Sequence, residues 1–301
     1  MASAAQPVDG IQLASARRAI TILERLCRQS LMETVGCSEP DANARLEAEL
    51  GYYRRLRLDT LSMKDVFRRY CISLANRSPL FSLVFENMEQ CDARIVAYSE
   101  VFCDYSPRDL VAKYRGCEEE LLSRLIEKRG LTPQQAKRQR DAPRAMLPTY
   151  LQGLLAGAEY FARFEDGCEF ARFVGKWLVD PDLVAMLPQY FQALGFPGFG
   201  AALAADFLKE MGVRELGKPD RWVRRCMATA GWIEEDCSDF RVQRVFWKLW
   251  KLLGDEYPPS ILDKLMYLVG TGNFVMVVPQ YECKPQYPTF EQAILQSRDC
   301  D

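Results

Sequence analysis

The side chains able to do chemistry are narrowed first by one absence. None of the 301 residues is histidine, which removes Ser–His and Cys–His nucleophiles and imidazole-ligated metals at once. Carboxylates, amines, phenols and thiols remain. The eleven cysteines, at 27, 37, 71, 91, 103, 117, 168, 226, 237, 283 and 300, are odd in number and contain no Cys-x-x-Cys pair. Most fall in apolar-periodic stretches, the pattern of buried free thiols rather than a disulfide framework. Among the carboxylates, Asp220 stands out by its setting, Gly217-Lys218-Pro219-Asp220-Arg221-Trp222-Val223-Arg224-Arg225. Pro219 keeps Lys218 extended and Asp220 is placed to cap a helix running to about Ala230. Capping by itself would account for an Asp there.

Twenty residues before Asp220 ends a second unusual segment, Gly195-Phe196-Pro197-Gly198-Phe199-Gly200. It joins an apolar helix, Leu183 to Leu194, to Ala201-Ala202-Leu203-Ala204-Ala205-Asp206-Phe207-Leu208, and the second helix should end at Gly212. A Gly-x-Gly turn leaves the backbone N–H groups of the second helix without intrahelical partners and without side chains in front of them, a geometry suited to a phosphate. Ala202, Ala204 and Ala205 permit tight helix packing. Taken alone, the hexapeptide equally suits an ordinary helix corner.

Together, in this order and at this separation, the two segments resemble the helix-hairpin-helix DNA glycosylase superfamily. That family is named for such a hairpin followed by a Gly/Pro-rich loop ending in Asp. Its loop often reads Val-Asp-Thr-His-Val-x-Arg; here Asp220 falls on the catalytic aspartate, Val223 and Arg225 match, and Trp222 replaces the usual His. Leu268-Val269-Gly270-Thr271-Gly272-Asn273-Phe274 looks like the Leu-Ile-Gly element that closes the family's last core helix. The likeness is clearest over about residues 183–274. Bifunctional members carry a Lys two residues after the second hairpin Gly. That position is Ala202 here, so the resemblance is to a monofunctional enzyme without strand cleavage from the hairpin. Only Cys283 and Cys300 follow the core, too few for the four-Cys iron–sulfur cluster of many members.

The resemblance implies hydrolysis of the N-glycosidic bond of a damaged or modified base extruded from DNA, in a duplex. Asp220 would stabilise oxocarbenium-like charge on the sugar and activate the attacking water. The extruded base needs an aromatic-lined pocket, for which Trp222, Tyr190, Tyr150 and Phe161 are candidates. Gly198 and Gly200 would hold the strand through backbone N–H groups, and Lys218, Arg221, Arg224 and Arg225 would meet phosphates. Lys137, Arg138, Arg140 and Arg144 form a second basic group. No cofactor is required. In the family a K+ or Na+ bridges hairpin carbonyls to phosphate; the corresponding carbonyls are those of Leu194, Phe196 and Phe199.

The elements that must position these groups read as helices. Leu13, Ile20, Leu23, Leu26 and Cys27 recur at helical spacing with charged residues between them. Ser62 to Asp65, Ser106 to Asp109 and Thr132 to Gln135 carry helix-start signatures. Phe274 to Val278 is the one β-rich run. The expected fold is therefore all-α, the two-lobed helical glycosylase fold with an N-terminal helical extension. Residues 1–104 form a helical region to which the sequence assigns no role; 105–280 hold the core, with the hairpin at 195–200 and the catalytic loop at 217–225; 281–301 are a C-terminal tail. A lobe boundary is expected near Gly130 to Pro148, the least apolar interior stretch.

The chain carries no signal-peptide pattern at its start and no apolar run of about eighteen residues. The expectation is an intracellular protein, cytoplasmic (nucleoid) or nuclear, with no membrane partner. A net charge of −2 supplies no global field for a polyanion. Two alternatives stay open: a noncatalytic DNA-binding module on the same scaffold, and a helical protein-interaction scaffold, which the near-neutral charge favours.

Overall fold

A computed structural model describes residues 10–76, 80–86, 88–142, 145–274, 277 and 283–298. Arg144, Cys300 and three positions of the run from 274 to 278 lie outside the described residues. Sixteen α-helices and no strand occur among the described residues, and none of these helices is long and apolar enough to cross a membrane. In chain order they are α1 (Leu13–Val35), α2 (Glu39–Arg55), α3 (Met63–Ala75), α4 (Leu80–Phe85), α5 (Met88–Tyr98), α6 (Pro107–Tyr114), α7 (Glu118–Arg129) and α8 (Pro133–Asp141). There follow α9 (Met146–Phe161), α10 (Gly167–Gly175), α11 (Pro181–Ala193), α12 (Ala201–Glu210), α13 (Arg221–Thr229), α14 (Asp239–Leu253), α15 (Pro259–Thr271) and α16 (Tyr287–Arg298).

The local start signals act as their chemistry dictates. Ser62 and Asp65 form a reciprocal capping box, as do Thr132 and Gln135; each satisfies two backbone donors that a helix start otherwise leaves open. Ser106 accepts the Asp109 N–H at 3.3 Å. Phe274 and Val277 are not in a strand; β propensity without a pairing partner does not make one.

The chain divides into two compact units. The first gathers the described residues of Met1–Leu56, Leu178–Leu187 and Gly212–Asp301, the second those of Arg57–Trp177 and Pro188–Met211. This corrects two sequence-based boundaries. Residues 1–104 are not one region, because α1 and α2 pack with α14 and α15, elements more than 180 residues later, in a single apolar core. The stretch from 130 to 148 is not a lobe boundary, since α8 within it packs on α9 inside the second unit. The tail likewise holds α16, which packs on α1, α13 and α15. Such long-range packing is decided by which apolar faces fit each other, and local composition does not encode it.

The core of the first unit is aliphatic: Leu23, Leu26, Leu46, Leu249, Ile261, Leu262 and Leu265 have almost no exposed surface. Inside it α2 and α15 are joined by a buried ion pair, Lys264 Nζ to Glu49 Oε1 at 2.7 Å. The core of the second unit is aromatic. Tyr70 lies 4.9 Å from Phe199, 5.1 Å from Phe161 and 5.8 Å from Phe207 between ring centroids, all edge-on, the arrangement aromatic quadrupoles favour.

Candidate functional site

The Asp220 loop belongs to the first unit and the hairpin to the second. The loop is built from its backbone outward. Gly217 is gripped by the buried Gln243 of α14, whose Nε2 donates to the Gly217 carbonyl at 2.6 Å and whose Oε1 accepts the Gly217 N–H at 3.3 Å. A methyl group on Gly217 would stand 2.4 Å from Phe246 Cε2, so a side chain here would force the buried Phe246 ring to move. The Asp220 N–H donates to the Lys218 carbonyl at 2.8 Å, closing a tight turn at Pro219.

Asp220 then caps α13. Its Oδ1 accepts the N–H of Trp222 at 2.8 Å and of Val223 at 3.0 Å, satisfying two donors that the helix start leaves open. Both bonds fall on one oxygen; Oδ2 takes no hydrogen bond among the described residues. The residue is half-buried. The arrangement therefore fixes the carboxylate while leaving one of its oxygens for a further partner.

The neighbouring basic residues separate into two kinds. Arg224 is committed to structure: its guanidinium donates to the carbonyls of Pro219 at 3.2 Å, Glu235 at 3.3 Å and Cys237 at 2.5 Å, and pairs with Asp239. It staples the loop to the start of α14, so the expectation that Arg224 meets phosphate is corrected: four of its five N–H donors are committed to oxygens of the fold. Arg221 is exposed, with its guanidinium carbon 4.7 Å from the Trp222 ring centroid. Arg225 lies 5.5 Å from Trp222 and 5.8 Å from Tyr287, and meets Glu235 at 3.6 Å. Lys218 is half-buried.

Trp222 packs against Gly270 in the last turn of α15, where a methyl group would stand 2.4 Å from Trp222 Cγ. Its ring also meets Tyr287 at 5.7 Å. The segment Leu268–Phe274 thus does two local jobs. Gly270 receives the indole, and Gly272, at φ 71°, ends α15 with its N–H on the Leu268 carbonyl.

Thiols near the loop are quiet. Burial pushes the Cys226 thiol well up, and the Asp220 charge pushes it further, which disfavours the reactive thiolate. All ten described cysteines are free; five are buried, and Cys117 and Cys168 are exposed. Sequence reasoning overlooked Glu215, in the loop before Gly217. Burial raises its carboxyl above the ordinary value; its apolar neighbours Val213 and Leu216 were the available signal.

In the second unit the hairpin turns at Gly195 and Gly198, with φ of 73° and 76°, left-handed values that glycine adopts without strain. The Phe199 N–H donates to the Phe196 carbonyl at 3.0 Å. Phe196 and Phe199 are buried against Tyr70, and the Pro197 carbonyl seats on Gly153 of α9, where a methyl group would stand 2.3 Å from it. Gly200 is exposed and precedes α12 with no side-chain cap. The carbonyls of Leu194 and Phe199 accept no hydrogen bond among the described residues, whereas that of Phe196 holds the Phe199 N–H. Neutral carbonyl oxygens suit a weakly hydrated monovalent cation better than a dication, which calls for carboxylates.

The aromatic residues expected to wall a base pocket are corrected in part. Tyr150 and Phe161 have no exposed surface; Tyr150 donates to the Cys71 carbonyl at 3.2 Å and Phe161 sits amid Phe67, Tyr70, Phe170 and Phe207. They are core, as apolar faces at helical spacing usually are. Tyr190 is half-buried, shares a hydrogen bond with Tyr160 at 3.2 Å and packs on Trp177 at 5.2 Å. In the second basic group, Arg140 pairs with Glu119 at 3.3 Å, while Lys137 and Arg138 are exposed.

By its fold the chain is an all-helical protein carrying a fixed, half-buried cap carboxylate and a separate glycine hairpin. Comparison with protein-family models, with curated proteins and with solved structures found no match to it.

Proposed function

We propose that the protein is a monofunctional DNA glycosylase of the helix-hairpin-helix type, with Asp220 as its catalytic carboxylate. The observation that carries this reading is the division of labour within Asp220: Oδ1 holds two backbone donors while Oδ2 remains without one. A carboxylate held this way is preorganised, and preorganised charge aimed at the place where opposite charge develops is among the largest contributions to catalysis. As the bond from the anomeric carbon to the base breaks, positive charge grows on the deoxyribose. Asp220 stabilises that charge and takes the proton of the water that attacks the same carbon. The base leaves with the bonding electron pair and takes up a proton from solvent, which balances the proton that Asp220 removes from water and gives back to solvent; the products are the free base and an abasic sugar. Ala202 at the position of the lyase lysine leaves no amine there to form a Schiff base, so strand cleavage does not follow from the hairpin.

The hairpin is the strand-holding element of this reading. Gly200 is exposed ahead of an uncapped helix, and backbone N–H groups of that kind donate to phosphate oxygens. A K+ or Na+ held by the carbonyls of Leu194, Phe196 and Phe199 would add positive charge at the same place.

The test is release of free base from duplex DNA carrying deaminated, alkylated, oxidised or hypermodified bases. Turnover on one substrate class that disappears in a folded Asp220→Asn variant supports the enzyme. No abasic product from any substrate, with Asp220→Asn altering only stability, removes it. A second reading, a noncatalytic DNA-binding module, is favoured by the burial of Tyr150 and Phe161, since two expected pocket walls face the core. It predicts salt-dependent DNA binding without turnover.

A further inference from the structure

Beside Asp220 the start of α13, from Arg221 to Arg225, presents a feature that neither capping nor the carboxylate's chemistry requires. Two guanidiniums gather on one indole: Arg221 at 4.7 Å and Arg225 at 5.5 Å from the Trp222 ring centroid, with Arg225 also 5.8 Å from Tyr287. Two like charges converging on one side chain repel each other, and the contact of each with an aromatic ring offsets part of that cost.

The platform is itself braced. Gly270 leaves room for the indole, and Tyr287, which shares a hydrogen bond with Thr229 at 2.9 Å, packs on its ring. A guanidinium lying on an aromatic face keeps its N–H donors in its own plane, directed outward. That is the presentation which matches phosphate oxygens, and it loses less rotamer freedom on binding than a free side chain would. Arg221 has no ion pair among the described residues. Arg225 has one, to Glu235 at 3.6 Å, between side chains that are 42% and 62% exposed. An exposed pair of that kind contributes little, so a phosphate can displace it. The other acidic neighbours are Asp220 on the same helix end and Glu291, which acts on Tyr287 from α16.

We propose that Trp222 is a positioning residue that holds Arg221 and Arg225 as a phosphate clamp next to the Asp220 carboxylate. This deepens the nucleic-acid reading above and rests on it, and it gives Trp222 a role other than stacking on an extruded base. Phosphate could come from a DNA backbone or from a free nucleotide, and the experiment separates the two.

Binding is measured by fluorescence anisotropy over a salt series. The probe is a labelled duplex that carries a tetrahydrofuran abasic analogue and no terminal phosphate, so that turnover plays no part. Trp222→Leu, which changes no charge, is expected to weaken binding about five- to tenfold, and Trp222→Phe, which restores a π face, to remain within about twofold of the wild type. Arg221→Gln should make the log–log salt slope shallower by about one, whereas Arg224→Gln, whose guanidinium is committed internally, should leave the slope unchanged. If Trp222→Leu does not fold, Arg221→Lys serves instead: with charge kept and the planar fork lost, affinity should fall at constant slope. Wild-type affinity in folded Trp222→Leu or in Arg221→Lys overturns the clamp. So does a slope change confined to Arg224→Gln. Competition by deoxycytidine 5′-monophosphate as effective per phosphate as the duplex assigns the clamp to free nucleotides. Binding of neither probe by the wild type overturns it. The expected binding pattern without base release upholds the clamp and removes the glycosylase, so the two ideas fail separately.

Discussion

Gln243 and Gly217 form a closed two-way hydrogen bond, side-chain amide to backbone amide, in which each group donates once and accepts once. The pairing imitates one rung of a β-ladder in a protein whose described residues contain no strand. Its consequence lies three residues on, where the chain turns at Pro219 and delivers Asp220 to the start of α13.

Replacing Gln243 with Leu removes both partners of Gly217 and leaves a buried N–H and a buried carbonyl unpaired. Unfolding in urea should show a loss of about 2 to 3 kcal/mol. At urea concentrations well below the transition, base release should fall further than the folded fraction does, because the loop bearing Asp220 loses its anchor. Activity that merely follows the folded fraction would show that Gln243 supports the fold and not the loop.

Asp220 caps α13, and under the proposed function it is also the catalytic carboxylate; substitution can separate the two. Asn keeps a side-chain oxygen for the Trp222 and Val223 N–H groups, so Asp220→Asn should stay close to the wild type in stability. Asp220→Ala should lose about 1 kcal/mol. Both should lack base release. A variant that keeps turnover while losing only stability would reduce Asp220 to a cap.

Gly153 carries the hairpin. Gly153→Ala puts a methyl group against the Pro197 carbonyl, a backbone atom held by the buried Phe196 and Phe199 on either side. The expected cost is about 1 to 3 kcal/mol of stability, read from the thermal midpoint, with weaker DNA binding if the hairpin shifts. Gly200→Ala meets no neighbour within 4 Å and should leave the midpoint almost unchanged, which makes it the cleaner probe of binding there.

Glu215 supplies a pH dependence. Burial raises its folded-state carboxyl above the unfolded value. Below about pH 4 both states are protonated and its stability contribution is fully present; that contribution is lost as pH rises through the raised folded value. Glu215→Gln should therefore melt higher than the wild type near neutral pH, with the difference shrinking on acidification. A difference that grows toward low pH would show that the carboxylate is stabilised in the fold.

Much of this was legible in the residues. The capping boxes at Ser62 and Thr132, the turn at Gly198 and the cap at Asp220 depend on atoms within four residues of each other, and local chemistry specifies them whatever the rest of the chain does. The all-α class follows for the same reason, since helical hydrogen bonds are local. The tertiary structure alone decided what each side chain faces. Tyr150, Phe161 and Trp222 are all aromatic, yet the first two are sealed in a core and the third lies under two arginines. Arg221 and Arg224 are three residues apart, yet one guanidinium is exposed on Trp222 while the other is tied to Pro219, Glu235, Cys237 and Asp239. Burial and hydrogen-bond commitment are sums over neighbours brought from distant parts of the chain by apolar packing. The pairing of α1 with α15 is of that kind, because side-chain periodicity marks which face of a helix is apolar and not which other face it will meet.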